Sequence, residues 1–259
     1  MHYLSSCSIV KNEYPYILEF YKIHKFLGVE FFLFFDRSSE GPPLQELFKG
    51  HSDVEVIHFP EPHRHAQAWR EGAKYFQGKS KWVQFVDIDE VVVPLHTLDI
   101  KVMLQDFEQN AALGLNWHSF GGNGLEVEPP AGVSTYQAYT KRADSQAGIN
   151  NHIQSIVQVE HVDLRIWDDP HHPPLHHNKF QFNEKREAFK GPFNIPPSQN
   201  LAFIAHYYTR SRDYWAKKCA KLRADTGTPG STIAEYDHHQ SYMNQVEDLT
   251  VKNIWEMIK

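Results

Sequence analysis

WVQFVDIDE (Trp82–Glu90) decides the reading of this chain. An apolar run breaks abruptly into carboxylates at Asp87, Asp89 and Glu90. Short apolar runs bounded by polar residues read as buried strands, so a strand over Lys81–Val86 delivers three acidic side chains at its C-terminal end. Two aspartates at i and i+2 can meet one hard divalent cation. Mg²⁺ or Mn²⁺ takes oxygen ligands and keeps positions open for phosphate oxygens. A solvated strand terminus has the same spacing, so the triplet takes its meaning from its surroundings.

Upstream, strand and helix alternate. Tyr3–Val10 is a short strand ending at Lys11, Asn12 and Glu13; Pro15 suits a first helical turn. Ile17, Phe20, Tyr21, Ile23 and His24 recur at helical spacing until Gly28 stops the helix. VEFFLFF (Val29–Phe35) is a second strand, running into a polar loop from Asp36 to Gly41. A short helix over Leu44–Phe48, a strand over Val54–Phe59 and a helix over Arg64–Phe76 follow. Such alternation predicts an α/β fold with a mostly parallel central sheet flanked by helices. Ligands of these sheets bind at the C-terminal strand ends. The polar groups Lys11–Glu13, Asp36–Ser39 and Asp87–Glu90 all fall on that edge. A carboxylate such as Asp36 can there accept hydrogen bonds from a nucleotide, Lys11 can meet its charge, and Gln67 and Arg70 enter the same edge on a helix. A turn aspartate, a surface lysine and an exposed helix arginine are the bland readings.

The second half is less regular. Strands are expected over Leu113–Phe120, Ile153–Val162 and Leu201–Tyr208, a helix over Ser211–Leu222 and a turn over Asp225–Gly230. Trp117 in WHSFGGNG (Trp117–Gly124) is a candidate platform for a sugar ring, with Gly121 and Gly122 letting backbone approach a ligand. A core tryptophan beside a tight turn fits equally. His206, directly after a strand, can complete a metal site or be structural. DDPHHPPLHHN (168–178) offers His171, His172, His176 and His177 to zinc, though its prolines impose extended geometry rather than the helical spacing of a hydrolase motif.

Composition narrows the classes. The 259 residues carry 26 Lys plus Arg against 32 Asp plus Glu, a net charge of −6, which argues against nucleic-acid binding through a basic surface. A hydrophobic content of 41% with 22% charged residues is that of a globular chain. Two cysteines, Cys7 and Cys219, exclude a disulfide framework. The N-terminal stretch has neither a basic region nor a long apolar run, and the expectation is a cytoplasmic protein, peripheral to a membrane at most. No Gly-x-Ser-x-Gly elbow, P-loop or Gly-x-Gly-x-x-Gly fingerprint is present. Without repeats or a linker, residues 1–259 read as one domain.

Four strings in order resemble glycosyltransferase family 92 and the similar family-2-like glycosyltransferases. They are CSIVKNEYPYILEFYKIHKFLGVEFFLFFDRSSEG (7–41), WVQFVDIDEVVVP (82–94), NWHSFGGNG (116–124) and HYYTRSRDYWAKK (206–218). The resemblance implies a GT-A (Rossmann-like) fold, with residues 1–95 as the nucleotide-sugar half and 96–259 as the acceptor half. It implies transfer of a sugar, with inversion, from a nucleotide-sugar such as a UDP-sugar to a hydroxyl of a glycan or glycoconjugate acceptor. It maps Mn²⁺ or Mg²⁺ to Asp87, Asp89 and His206, and the donor to Lys11, Asn12, Asp36, Gln67 and Asp87. Trp117, Gly121 and Gly122 fall on the acceptor side. Glu90, next to the acidic pair, is the first choice for the base that takes the hydroxyl proton, with Asp144, and Glu126 and Glu128 beside the glycine turn, as the alternatives. The chain departs from the family at Gln154, where Lys is common, at Gly122 for Ser, at Arg37 for Asn and at Arg210 for Lys. A non-catalytic carbohydrate- or nucleotide-binding protein and a zinc-dependent hydrolase using the histidine loop are the competing classes.

Overall fold

The computed structural model of the chain describes residues 1–37, 39–60, 65–220 and 231–258. The expected turn over Asp225–Gly230, together with Ser38, Arg64 and the predicted helix end at Lys221–Leu222, lies outside the described residues. The first part runs β1 (His2–Val10), α1 (Tyr14–Phe26), β2 (Phe31–Asp36), α2 (Leu44–Leu47), β3 (Val54–His58), α3 (His65–Phe76) and β4 (Ser80–Phe85). These four strands lie in the order β3-β2-β1-β4, every pairing parallel. Val10 registers with Asp36, Asp36 with His58, and Cys7 with Phe85. The C-terminal ends therefore share one edge, as the alternation predicts.

The residues explain the elements. Pro15 lies in the first turn of α1, which buries Ile17, Phe20, Ile23 and His24 against the sheet. Gly28 follows with φ +101°, and a Cβ there would stand 2.2 Å from Asp99 Oδ1. Both the left-handed backbone and the close approach demand glycine. β2 is buried on both faces, as parallel strands covered by helices are. Leu4, Phe32, Phe34 and Trp82 pack with α1 in one cluster, while Cys7, Leu33, Phe35, Val83 and Phe85 pack with Trp69 of α3 in another. Strand side chains alternate between faces, which is why neighbours in sequence divide between the two layers.

The remainder comprises β5 (Glu90–Pro94), α4 (Ile100–Gln105), β6 (Ala112–Ser119), α5 (Thr135–Ala138), β7 (Lys141–Arg142), β8 (Ile153–Gln158), β9 (Gln181–Phe182), β10 (Ala188–Phe189), β11 (Ala202–His206), α6 (Arg212–Cys219), α7 (Ile233–Tyr242), β12 (Val246–Glu247) and α8 (Thr250–Ile258). Here the sheet turns mixed. β8 joins β4 antiparallel and β6 joins β8 antiparallel. β11 pairs parallel with β6 and antiparallel with β5. Parallel order thus describes the N-terminal strands rather than the whole sheet. β5 was not foreseen: a four-residue turn, not a helix, joins it to β4, so the alternation rule passes over it. Among the described residues, no helix is long and apolar enough to cross a membrane.

Candidate active site

The acidic turn after β4 is closed by its own last residue. Glu90 N donates to Asp87 O at 3.0 Å, and Asp87 N donates to Glu90 Oε2 at 3.0 Å. The same Oε2 accepts from Gln154 Nε2 of β8 at 2.9 Å. Glu90 is wholly buried. Burial, followed by Asp87 and Asp89, pushes its carboxyl well above the usual carboxylate range. Glu90 was expected as the proton acceptor facing an incoming hydroxyl. The structure instead encloses it as a clamp on the turn, because solvent does not reach it and its Oε2 already serves two donors.

β11 supplies the histidine. In its antiparallel register with β5, His206 stands opposite Glu90, and Tyr207 N donates to Asp89 O at 2.8 Å. His206 Nε2 lies 3.7 Å from Asp89 Oδ2, and His206 Nδ1 lies 4.0 Å from Glu90 Oε1. Both Nδ1 and Oε1 are buried without a hydrogen-bond partner among the described residues. α6 then returns over the edge, its start capped by Ser211 Oγ accepting from Tyr214 N. Lys218 Nζ reaches to 3.8 Å from Asp89 Oδ2 and donates to Tyr208 O at 3.3 Å. Burial acts to raise the Asp89 carboxyl, but His206, Lys218 and Arg210 outweigh it and hold the group far below the usual range. Arg210 is buried at φ +51°, 3.8 Å over the Tyr16 ring and 3.5 Å from Glu13 Oε2.

Histidines from distant segments complete the cluster. His65, opening α3, places Nε2 3.1 Å from Asp87 Oδ1. Burial acts to raise Asp87 also, and the His65 imidazole beside it more than offsets this, holding the carboxyl below the usual range. Trp117 is 5% exposed, stacked on His152 at 4.7 Å and met edge-on by His206 at 4.3 Å and His171 at 5.4 Å. Of the two readings of Trp117, a platform for a sugar ring and a core tryptophan, the packing of its ring among imidazoles fits the second. Burial lowers His171 to about 4, so it is neutral near pH 7.

The donor-side residues line the same edge. Asp36 is buried at the end of β2 and accepts from Ser39 N at 2.9 Å. Asn12, at φ +59°, donates from N to Ser39 Oγ and accepts at Oδ1 from Glu40 N. It ties the loop after β1 to the loop after β2. Lys11 sits half-buried beside it, and Gln67 lies in the first turn of α3.

Other expected residues stand elsewhere. Asp144 is exposed and caps its own turn by accepting from Gln146 N at 2.9 Å. Its charge acts on His118, which leaves β6 on the face opposite Trp117. This separates Asp144 from Asp87–Glu90 and speaks against a role as base. Gly121 and Gly122 do not make room for a ligand. A Cβ at Gly121 would meet Met243 O at 2.6 Å, and one at Gly122 would meet Arg210 O at 2.2 Å. The chain itself fills that space. The four loop histidines also diverge: His171 turns to Trp117, while His176 and His177 are exposed. Among the described residues, no three His, Cys, Asp or Glu side chains close on one point as a preformed metal cage.

Asp89 and His206 remain suited to a hard cation. Their 3.7 Å separation exceeds a hydrogen bond. It lies within the ~4 Å that two ligands of one ion can span at about 2.1 Å each. Ions such as Mg²⁺ commonly take one or two carboxylates plus substrate phosphates rather than a protein cage, and Asp87, a third exposed, stands on the same turn.

His65, His152 and Lys218 were not picked out in the sequence, and His171 only as a zinc candidate. The one signal was the count of 17 histidines. Gln154 and Arg210 stood out only as departures from a resembled pattern.

Sheet and site together define an α/β protein whose polar groups converge at the C-terminal strand ends, the ligand edge of that class. The chain belongs to glycosyltransferase family 92, whose profile it matches over residues 3–240. A family 92 protein of Arabidopsis thaliana is 26% identical over 225 residues, covering 80% of this chain and 35% of that protein. One of Ricinus communis is 25% identical over 182 residues, covering 66% and 31%. The chain thus spans about a third of the length of these curated relatives. Among solved structures, Staphylococcus aureus TarS (residues 1–349) aligns with a TM-score of 0.41 at 17% identity, over 65% of this chain and 50% of that one.

Proposed function

We propose that this chain is a metal-dependent, inverting glycosyltransferase that moves a sugar from a nucleotide-sugar, a UDP-sugar first, to a hydroxyl of a glycan or glycoconjugate. Family membership supports the reaction class. The observation that carries the reading is the convergence of Asp89, His206 and Lys218 on one turn at the ligand edge. Asp87, Asp89 and His206 would hold Mn²⁺ or Mg²⁺, which when bound supplies Lewis-acid neutralisation of a diphosphate leaving group. Lys218 adds a cation beside the same carboxylate, and Arg210 adds buried positive charge behind it. Asp36, Lys11, Asn12 and Gln67 would receive the nucleotide. The acceptor oxygen bonds to C1 as the C1–phosphate oxygen bond breaks on the opposite face, and the hydroxyl proton passes to a base. Glu90 holds the turn in shape for this step.

Calorimetric titration of UDP, with GDP as control, tests the proposal with and without Mn²⁺ on the wild type and on Asp87→Ala/Asp89→Ala. Mn²⁺-dependent UDP binding that disappears in the variant is the expected result. Failure of both nucleotides to bind under every metal condition would overturn it.

A further inference from the structure

A row of rings leads from the acidic edge to the surface. Trp117 is enclosed, and the chain itself fills the space beside Gly121 and Gly122. But His152, which stacks on Trp117 at 4.7 Å, also meets the Phe193 ring at 4.5 Å. The row His206–Trp117–His152–Phe193 therefore runs outward from a candidate metal ligand, and its last ring is 45% exposed. Ile195, two residues on, is 70% exposed. A lone exposed phenylalanine would carry no message; this one ends a row that begins at His206.

A fixed backbone displays Phe193. The residue bridges antiparallel to His152, with Ile153 N donating to Pro192 O at 3.1 Å and Asn194 N donating to Asn151 O at 2.9 Å. Asn194, between the two exposed apolar residues, is buried. Its Nδ2 donates to Asn116 Oδ1 at 2.7 Å, and its Oδ1 accepts from Asn183 Nδ2 at 3.2 Å. Fully burying a phenylalanine is worth about 1.5–3 kcal/mol. The anchored chain forgoes part of that, because the buried amide of Asn194 leaves the ring no route inward.

The surroundings of the ring say what it would take. His152 is half-buried; its Nδ1 is enclosed, and Nε2 is the ring nitrogen left to meet a ligand. Asp169 is half-buried beside the same histidines, its Oδ1 accepting from His171 N at 2.8 Å. The charges of Asp87, Asp168 and Asp169 act on His152, His171 and His172, against that of the exposed Lys190. Three carboxylates against one lysine turn an anionic group away. A neutral pyranose fits: it lays its C–H face on an aromatic ring and offers hydroxyls that both donate and accept. We propose that Phe193 is the platform on which the acceptor's sugar ring stacks, with a hydroxyl toward His152 Nε2. That the sugar is the acceptor rests on the transferase reading; that a sugar stacks on Phe193 does not.

The test is an NMR titration of the full chain, with and without Mn²⁺ and UDP. The probes are the methyl glycosides of glucose, galactose and N-acetylglucosamine, with maltose and lactose; inorganic phosphate and n-hexanol stand for the anionic and the purely apolar classes. Phe193→Tyr keeps the ring, Phe193→Leu keeps apolar bulk without it, and Phe193→Ala removes both. At least one sugar should bind the wild type with a Kd of about 10 mM or tighter. Its affinity should fall at least about tenfold in Phe193→Leu and Phe193→Ala and stay within about threefold in Phe193→Tyr. Misfolding would lower Tm in step with the loss, whereas the contrast between Phe193→Tyr and Phe193→Leu reads the ring alone. Four results would each overturn the platform: no sugar binds under any condition, Phe193→Leu binds sugar as the wild type does, Phe193→Tyr loses as much as Phe193→Leu, or phosphate or hexanol binds more tightly than every sugar and is lost in Phe193→Leu. If UDP fails to bind the wild type under every metal condition while sugar affinity still follows the ring, the transferase reading falls and the sugar site stands.

Discussion

Replacing Gly122 by alanine separates two meanings of a glycine-rich turn. The added Cβ would stand 2.2 Å from Arg210 O, 2.8 Å from the Tyr236 hydroxyl and 3.0 Å from Gln240 Oε1. An ordinary C···O contact is ~3.3–3.6 Å, so the backbone carbonyl must retreat by about 1 Å. Arg210 cannot swing aside as a surface side chain would. It is buried, held at φ +51° and packed on Tyr16. Overpacking of this kind costs about 1–3 kcal/mol, against which a Gly→Ala change recovers about 0.4–1 kcal/mol by restricting the unfolded chain. The net loss is about 1 kcal/mol, a fall in Tm of about 2–4 °C for a chain of this size. Differential scanning calorimetry reads it directly, with Gly148→Ala as control, because nothing lies within 4 Å of a Cβ there. Wild-type stability in Gly122→Ala would refute the packing argument. If a glycan acceptor then bound more weakly with Tm unchanged, Gly122 would be a ligand-facing residue after all.

The other expectations are more compact. His24 is buried, and burial lowers it from 6.5 to about 4. Its contribution is therefore complete above pH 6.5 and lost as pH falls toward 4, amounting to about 2 kcal/mol by pH 5. Urea midpoints at pH 7 and pH 5 check this, and equal midpoints contradict it. Glu90→Gln should be at least as stable as the wild type at pH 7, because burial disfavours the charged carboxylate and one amide oxygen can accept from Asp87 N and Gln154 Nε2; a Tm more than about 2 °C below the wild type would contradict this. A raised carboxyl pKa gives stability that is present below about pH 4.5 and drains as pH rises above it, so the variant should also flatten that decline. Glu90→Ala, which orphans both donors, should lose about 2–4 kcal/mol. His206→Ala should weaken Mn²⁺-dependent UDP binding at least about tenfold while leaving the far-UV circular dichroism unchanged. Unaltered affinity would remove His206 from the metal set.

Local pattern carried much of the fold. The periodic stripe of α1, the stop at Gly28 and the doubly buried run of β2 are short-range consequences of side-chain size and backbone freedom. They were legible without a structure, as was the alternation that puts Lys11, Asn12, Asp36 and Asp87 on one edge. The reading failed where short-range pattern is silent. β5 follows a four-residue turn, and β8 runs antiparallel to β4; neither direction nor partner is encoded in a strand's own composition. Trp117 and the glycines at 121–122 have the residue types of a ligand surface, yet what fills the space around them arrives from α7, the loop after β11 and the histidine loop.

For the site, the sequence by itself determined the acidic turn: an apolar strand that ends in Asp87, Asp89 and Glu90 must expose or pair those charges at its C-terminal edge. Only the tertiary structure decided which charges meet. The antiparallel register of β5 with β11 brings His206 to Asp89 and Glu90 across more than a hundred residues, α6 returns Lys218 to the same carboxylate, and α3 carries His65 to Asp87. Electrostatic partnership depends on distance and burial rather than on separation along the chain. The turn and its family pattern could therefore be read in advance, whereas the enclosure of Glu90, the imidazoles around Trp117 and the row of rings that ends at Phe193 came into being with the packed sheet.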